Sequence, residues 1–394
     1  MQILSLNTGS STVKYAVFEG AELRPLARGK ASRIGEAEGR VEHTRQEAGR
    51  PRSLPLPDHR AALQEILGDL CASGTLDTGA STVAVGHRVV HGGDGLTAPV
   101  SIDDAVLEAV RELGRLAPLH NPVNATGIEV ARSLLPRARH VAVFDTAFHA
   151  GLPDAARCYA IPERLAQRGY RRYGFHGISH GFVAVAAAER LGRSLDTLRL
   201  ITLHLGNGAS AAAIRNGRSV DTSMGMTPLE GLVMGTRSGD LDPAVVLRLV
   251  TDEGMAPADV EALLNHDSGL LALVGTNDVR DIEQRACAGD ERAERALELF
   301  CYRVKKCIGA YWAALGGADA IVFTGGIGEN AAGVRERCCD GLQTFGIVLD
   351  DRANRRNAEA VHAADVPVLV IETDEEREIA RATQDVLRAE DESS

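Results

Sequence analysis

Two stretches half a chain apart carry the same pattern, and that pattern limits what the chain can fold into. ILSLNTGSSTVKYAVF, residues 3–18, and LITLHLGNGASAAAIR, residues 200–215, each read as an apolar extended run, a Gly/Ser-rich turn and a second extended run. Strand–turn–strand units repeated at that distance in 394 residues imply a duplicated α/β design. The expected fold class is α/β, with two similar lobes around a central cleft. Between and after the repeats, helical spacing at 61–70, 103–113, 181–191 and 292–315 alternates with short apolar runs at 83–90, 141–144, 320–323 and 366–371. Ser101 is the expected cap of the second helix. Residues 28–60 are polar and rich in Arg, Glu and Gly, and read as a surface excursion.

The turns are where chemistry is expected. In Asn7-Thr8-Gly9-Ser10-Ser11 the glycine lets backbone N–H groups approach an oxygen-rich ligand, while the hydroxyls and Lys14 can donate to phosphate. A plain hairpin turn is the competing reading, and the echo at Gly206–Ser210 weighs against it. Neither turn is a Walker A loop. Ser11-Thr-Val-Lys14 also matches S-x-x-K, but its setting is extended rather than the start of a helix. Gly326-Ile-Gly328-Glu-Asn-Ala331 follows a strand and matches G-x-G-x-x-A, with Asp350 expected to close the next strand. Too little chain follows for a dinucleotide domain, so the loop suits a single nucleotide better.

Arg88 in GHRVVHGG and Arg237 in GTRSGDLDP sit beside glycines, where a tight turn can aim a planar fork at phosphoryl oxygens. A surface ion pair is the alternative for either. Asp145 ends a strand, and Glu375 and Glu376 open the last helix. Carboxylates there can hold Mg²⁺ or a proton, or simply suit the helix dipole. His176 and His180 have i, i+4 spacing, yet no glutamate follows His176 and flanking glycines favour a loop entering a helix at Gly181.

The net charge of −11 leaves no basic footprint for nucleic acid or an anionic membrane. No apolar run approaches the roughly 18 residues of a span, and the first residues lack the look of a secretory leader. Seven cysteines without C-x-x-C spacing suit neither a disulfide framework nor zinc, so a cytoplasmic location is expected.

Nine motifs in order, NTGSSTVKY, GHRVVHGG, APLHNP, FDTAFH, YGFHGISH, HLGNGAS, MTPLEGLVMGTRSGDLDP, FTGGIGEN and ETDEE, together resemble the acetokinase family over nearly the whole chain. The resemblance implies the actin-like ATPase (ribonuclease H-like) fold, with an N-terminal lobe of residues 1–149 plus 377–394. A C-terminal nucleotide-binding and dimerisation lobe of 150–376 completes it. It implies reversible phosphorylation of acetate by ATP to acetyl phosphate and ADP, propionate being the alternative acceptor. Mg²⁺ is implied as cofactor, with Mn²⁺ able to substitute, and a homodimer as the assembly. By position, Asn7 and Glu375 match the magnesium-linked residues, and Arg88, Asp145, His176, Arg237 and His120 the catalytic set. Ser10, Lys14, His204, Leu205, Gly206, Asn207, Gly208 and the run Gly325, Gly326, Ile327, Gly328, Glu329 and Asn330 match the ATP-binding loops. Arg88, Val90, Leu119, Phe175 and Pro228 match the substrate pocket. The family's usual segment ends in S-S-D-x-R, and the chain departs from it at Gly275-Thr-Asn-Asp-Val-Arg280.

Acetate is ionised at neutral pH and needs no strong base, so the obstacle is bringing two anions together. Positioning and charge stabilisation are then the expected means, by direct in-line transfer. A non-catalytic nucleotide-binding module and a dinucleotide oxidoreductase are the competing classes.

Overall fold

The computed structural model describes residues 1–44, 51–76 and 83–393. They form two compact units: Met1–Ala150 together with Asp374–Ser394, and Gly151–Thr373.

The first unit is built on β1 (Gln2–Thr8), β2 (Thr12–Glu19), β3 (Arg24–Ser32), β4 (Gly39–Thr44), β5 (Arg52–Leu54), β6 (Val83–Val89), β7 (Val100–Ser101) and β8 (Arg139–Phe144). Their order in the sheet is β5-β4-β3-β2-β1-β6-β8-β7. Strands β1, β6 and β8 run parallel, while β1 to β5 form an antiparallel meander. A parallel strand covered on both faces reads as a continuous apolar run, and six of the seven residues of β1 are buried. Leu4 and Leu6 face one core with Leu63 and Ile66 of the helix His59–Ala72. On the other face Ser5 donates to the Glu376 carbonyl at 2.7 Å, where the last helix, Glu375–Ser393, crosses the sheet. Gly86 of β6 lies under that helix, and a methyl there would overlap Thr383 and Ile379.

The second unit uses β9 (Arg199–Leu205), β10 (Ala209–Arg215), β11 (Arg218–Thr222), β12 (Ala320–Thr324) and β13 (Val368–Val370), in the order β11-β10-β9-β12-β13. Numbered from its own first strand, this is 3-2-1-4-5. The strands β3-β2-β1-β6-β8 of the first unit have the same order and the same pattern of parallel and antiparallel neighbours. The repeat legible at the two turns therefore extends to five strands of each sheet. Asn216 and Gly217 both have positive φ, 53° and 75°, as the two-residue turn joining β10 to β11 requires.

Several expectations change. Residues 28–60 do not form a loose excursion: β3, β4 and β5 extend the sheet, while 45–50 lie outside the described residues. The polar composition hid an alternation in which Ala31 and Val41 pair inward while Lys30, Arg40 and Glu42 pair on the outer face. Asp103, not Ser101, caps the helix Asp104–Glu112, accepting from the Val106 N–H. Asp350 caps a short helix, Asp351–Arg355, rather than closing a strand, which removes the dinucleotide fingerprint. No helix among the described residues is long and apolar enough to cross a membrane.

Candidate active site

In the first unit the polar residues gather at the C-terminal ends of the parallel strands, where open α/β sheets bind ligands. Asn7 is at the end of β1, Arg88 at the end of β6, and Asp145 immediately follows β8. Asp145 is 1% exposed and takes a two-pronged bond from Arg88, Nε to Oδ1 at 2.9 Å and Nη2 to Oδ2 at 2.5 Å. The remaining donor, Nη1, reaches Asn7 Oδ1 at 3.2 Å and faces Glu375 Oε2 at 4.0 Å. Burial opposes the charge on Arg88, but Asp145 and Glu375 outweigh it and raise its pKa. Burial, and then the neighbouring Glu375, raise that of Glu376.

Two asparagines brace this edge. Asn124 accepts from the Val90 N–H at 3.0 Å and donates to the Thr8 carbonyl at 2.8 Å, joining the ends of β6 and β1. Asn121 binds the N–H and carbonyl of His91 at 3.1 and 2.9 Å. The helix they open, Asn121–Leu134, is thereby docked beside Val90 and brings with it the preceding Leu119 and His120. His120 occupies the N-cap position without capping through its side chain, and Leu119 is exposed. Asn-x-x-Asn on one helix face is the signal that sequence reasoning passed over.

In the second unit the helix begins at Gly177, not Gly181, so His176 is its N-cap in the left-handed region at φ 56° and ψ 24°. His176 Nδ1 and His180 Nε2 share the Ser210 hydroxyl at 2.9 and 2.8 Å, and His180 Nδ1 meets Thr202 Oγ1 at 2.7 Å. His180 is fully buried and committed to hydroxyls, which disposes of a zinc pair. The His204 ring stacks on that of His176, centroids 4.3 Å apart, and its Nδ1 meets the Ser179 hydroxyl at 2.8 Å.

The glycine turn after β9 meets these groups. A methyl built on Gly208 would lie 3.5 Å from His176 Nε2 and 3.6 Å from Arg237 Nη1, so the bare backbone, the imidazole and the guanidinium converge on one spot. Arg237 Nη1 donates to the Pro228 carbonyl at 3.1 Å. Asn277, within the departing segment, donates to Asn207 Oδ1 at 2.9 Å. The run Gly325–Asn330 is a six-residue helix whose start is occupied by its own Glu329, which accepts from the Gly325 and Thr373 N–H groups at 2.9 and 3.1 Å. Glu329 is thus an internal cap, and Gly326 and Asn330 are the exposed members of that run.

Among the described residues no set of three His, Cys, Asp or Glu side chains could cage a metal. Mg²⁺ does not require one, since it commonly takes one or two carboxylates with substrate phosphates and water. Asn7 Oδ1 and Glu375 are hard oxygen donors on one edge and fit that role. Ser10 and Lys14, across the first turn, are exposed.

The model of the Acetokinase family matches residues 2–381. An acetate kinase of Syntrophobacter fumaroxidans is 48% identical over 98% of this chain and 97% of its own. Among solved structures, an acetate kinase of Porphyromonas gingivalis superposes at TM-score 0.90 with 42% identity, covering 98% of this chain and 99% of its own. A propionate kinase of Francisella tularensis superposes at 0.93 with 38% identity and the same coverage.

Proposed function

The chain belongs to the acetokinase family, and from that premise we propose how its residues divide the work of moving a phosphoryl group between ATP and acetate. It is a kinase with a carboxyl acceptor and uses ATP as donor. The proposal concerns the residues, the metal and the route. Arg88 binds the carboxylate and the equatorial oxygens of the moving phosphoryl group through donors left by its two-pronged bond to Asp145. Asp145 orients Arg88 and has no need to act as a base, because the acceptor is already an anion. In the second unit Arg237 and His176 donate to phosphoryl oxygens, and the turn 206–208 offers backbone amides to the nucleotide phosphates. Asn7 and Glu375 hold Mg²⁺, with Mn²⁺ as a substitute; when bound, the metal neutralises phosphate charge. Val90 and Leu119 in the first unit, and Phe175 and Pro228 in the second, are the residues assigned to the methyl group.

The observation that carries this reading is the Arg88 fork, fixed on one side by a buried carboxylate and turned on the other toward Asn7 and Glu375. The serine hydroxyls bonded to histidines here, Ser210 and Ser179, are fully buried, which supports direct transfer over a phospho-enzyme. All seven cysteines are free thiols, as a cytoplasmic location calls for. The helix Pro243–Thr251 exposes Val245 and Leu247, which supports a homodimer.

Acetate is the acceptor the family names favour, and propionate is the alternative that the second structural neighbour raises. Trapping the acyl phosphate with hydroxylamine tests both, using ATP, Mg²⁺ and acetate, propionate or butyrate. Acetyl hydroxamate that forms fastest and disappears with a chelator supports the reading. No hydroxamate from any acid overturns it.

A further inference from the structure

The loop Met224–Glu230 carries Pro228, and three side chains outside the reacting set hold it. Arg172 Nη1 donates to the carbonyls of Thr222, Ser223 and Met224 at 3.0, 3.0 and 2.9 Å, while its Nη2 donates to Glu230 Oε1. The Tyr159 hydroxyl donates to Glu230 Oε2 and accepts from the Met226 N–H at 3.0 Å. Glu230 is thus held by one partner on each oxygen, and the loop closes over a guanidinium, a carboxylate and a phenol. Gly225 lies directly beneath: a methyl there would overlap both Glu230 Oε2 and the Tyr159 oxygen. The Gly225 carbonyl faces the other way and accepts from the N–H groups of Tyr173 and Gly174 at 3.0 and 3.2 Å. Those residues lead straight to Phe175 and His176. One braced segment therefore locates both pocket residues of this unit, and through the Pro228 carbonyl it also meets Arg237.

We propose that Arg172, Tyr159 and Glu230 are positioning residues that set the acyl side of the site, and so fix its selectivity for acceptor length. This rests on reading Phe175 and Pro228 as pocket walls. A wall formed by a loop backbone moves when its brace loosens, and a hydrophobic pocket discriminates one methylene by only about 10- to 200-fold, so a small shift is visible in the ratio. The nucleotide turn after β9 is held separately, by Asn277 and by the Gly235 N–H donating to the Asn207 carbonyl at 2.9 Å, so ATP binding is not expected to follow.

The test is Tyr159→Phe, which removes one oxygen and keeps the ring, with Arg172→Lys beside it. kcat and KM are measured for acetate, propionate and ATP on both variants and on wild type. Tyr159→Phe should raise the KM for acetate roughly 5-fold and lower the acetate-to-propionate ratio of kcat/KM roughly 3-fold, with the KM for ATP within about 2-fold of wild type. Arg172→Lys, which loses the fork, should shift the ratio further. An unchanged ratio in Tyr159→Phe overturns the proposal, whether or not its Tm falls, and that variant decides alone if Arg172→Lys does not fold. An equal rise in the KM values for ATP and acetate also overturns it. Wild type that fails to use acetate would instead overturn the functional reading itself.

Discussion

Arg88→Ala should damage the protein in two separable ways. The guanidinium is the counter-ion of Asp145, a carboxylate 1% exposed and held by two bonds of 2.9 and 2.5 Å. Truncating Arg88 takes the guanidinium away from that buried charge, and breaking a buried pair from one side costs roughly 3–5 kcal/mol. In the proposed mechanism the same truncation removes a donor to the phosphoryl group, worth on the order of 3 kcal/mol of transition-state stabilisation, or 100-fold or more in kcat. Neutralising the acid as well separates the effects. Arg88→Ala combined with Asp145→Asn should recover about half of the lost stability and none of the lost rate. Urea unfolding followed by circular dichroism reads the first effect, and hydroxamate formation the second. The reasoning is refuted if Arg88→Ala unfolds at the wild-type urea concentration, or if the double variant is no more stable than the single. It is equally refuted if Arg88→Ala turns over near the wild-type rate.

Other consequences follow from the same geometry. Ser210→Ala removes the hydroxyl shared by His176 and His180, and should lower kcat about 10-fold with a smaller change in the KM for ATP, measured by steady-state kinetics. His87 and His140 stack in the core of the first unit, with His87 Nε2 3.0 Å from His140 Nδ1. Burial lowers both pKa values, that of His140 to about 4. The unfolded chain therefore binds protons that the folded one does not, and stability falls as pH drops from about 6.5 toward about 4, by up to about 1.4 kcal/mol per pH unit for each histidine. In His140→Gln that acid slope should be shallower in urea titrations at stepped pH, and an identical slope would clear the pair of responsibility. Val90→Ala should narrow the preference for acetate over propionate, mainly through the KM for propionate, in a two-substrate comparison against wild type.

How far the sequence alone reaches depends on the kind of residue. The sheet repeat was legible because β1 and β9 are buried runs broken by glycine turns, a local signal that survives without tertiary context. Strands β3 to β5 were not, because an edge strand keeps one face in water and its charges mask the alternation of Ala31 and Val41. The His176 loop was found by its glycines, yet the helix start was placed four residues late. A histidine at φ 56° is a backbone state that no propensity scale predicts. Residues proposed to touch ligands stand out by type, as Arg88 and Arg237 do beside glycine. Those that hold other residues do not: Asn124, Ser210 and Arg172 act across separations of 30 residues or more. Glu329 shows the converse, a charged residue in a nucleotide-like motif whose carboxylate serves its own backbone.

The central claim is direct in-line transfer from ATP to acetate, with the two arginines stabilising charge and no phospho-enzyme between. The stereochemical course at phosphorus tests it most directly. ATP made chiral at the γ-phosphorus with oxygen isotopes is turned over with acetate and Mg²⁺, and the configuration of the acetyl phosphate is read. One direct displacement gives inversion, the result predicted here. Retention would require two displacements through a protein-bound phosphoryl group and would contradict the account.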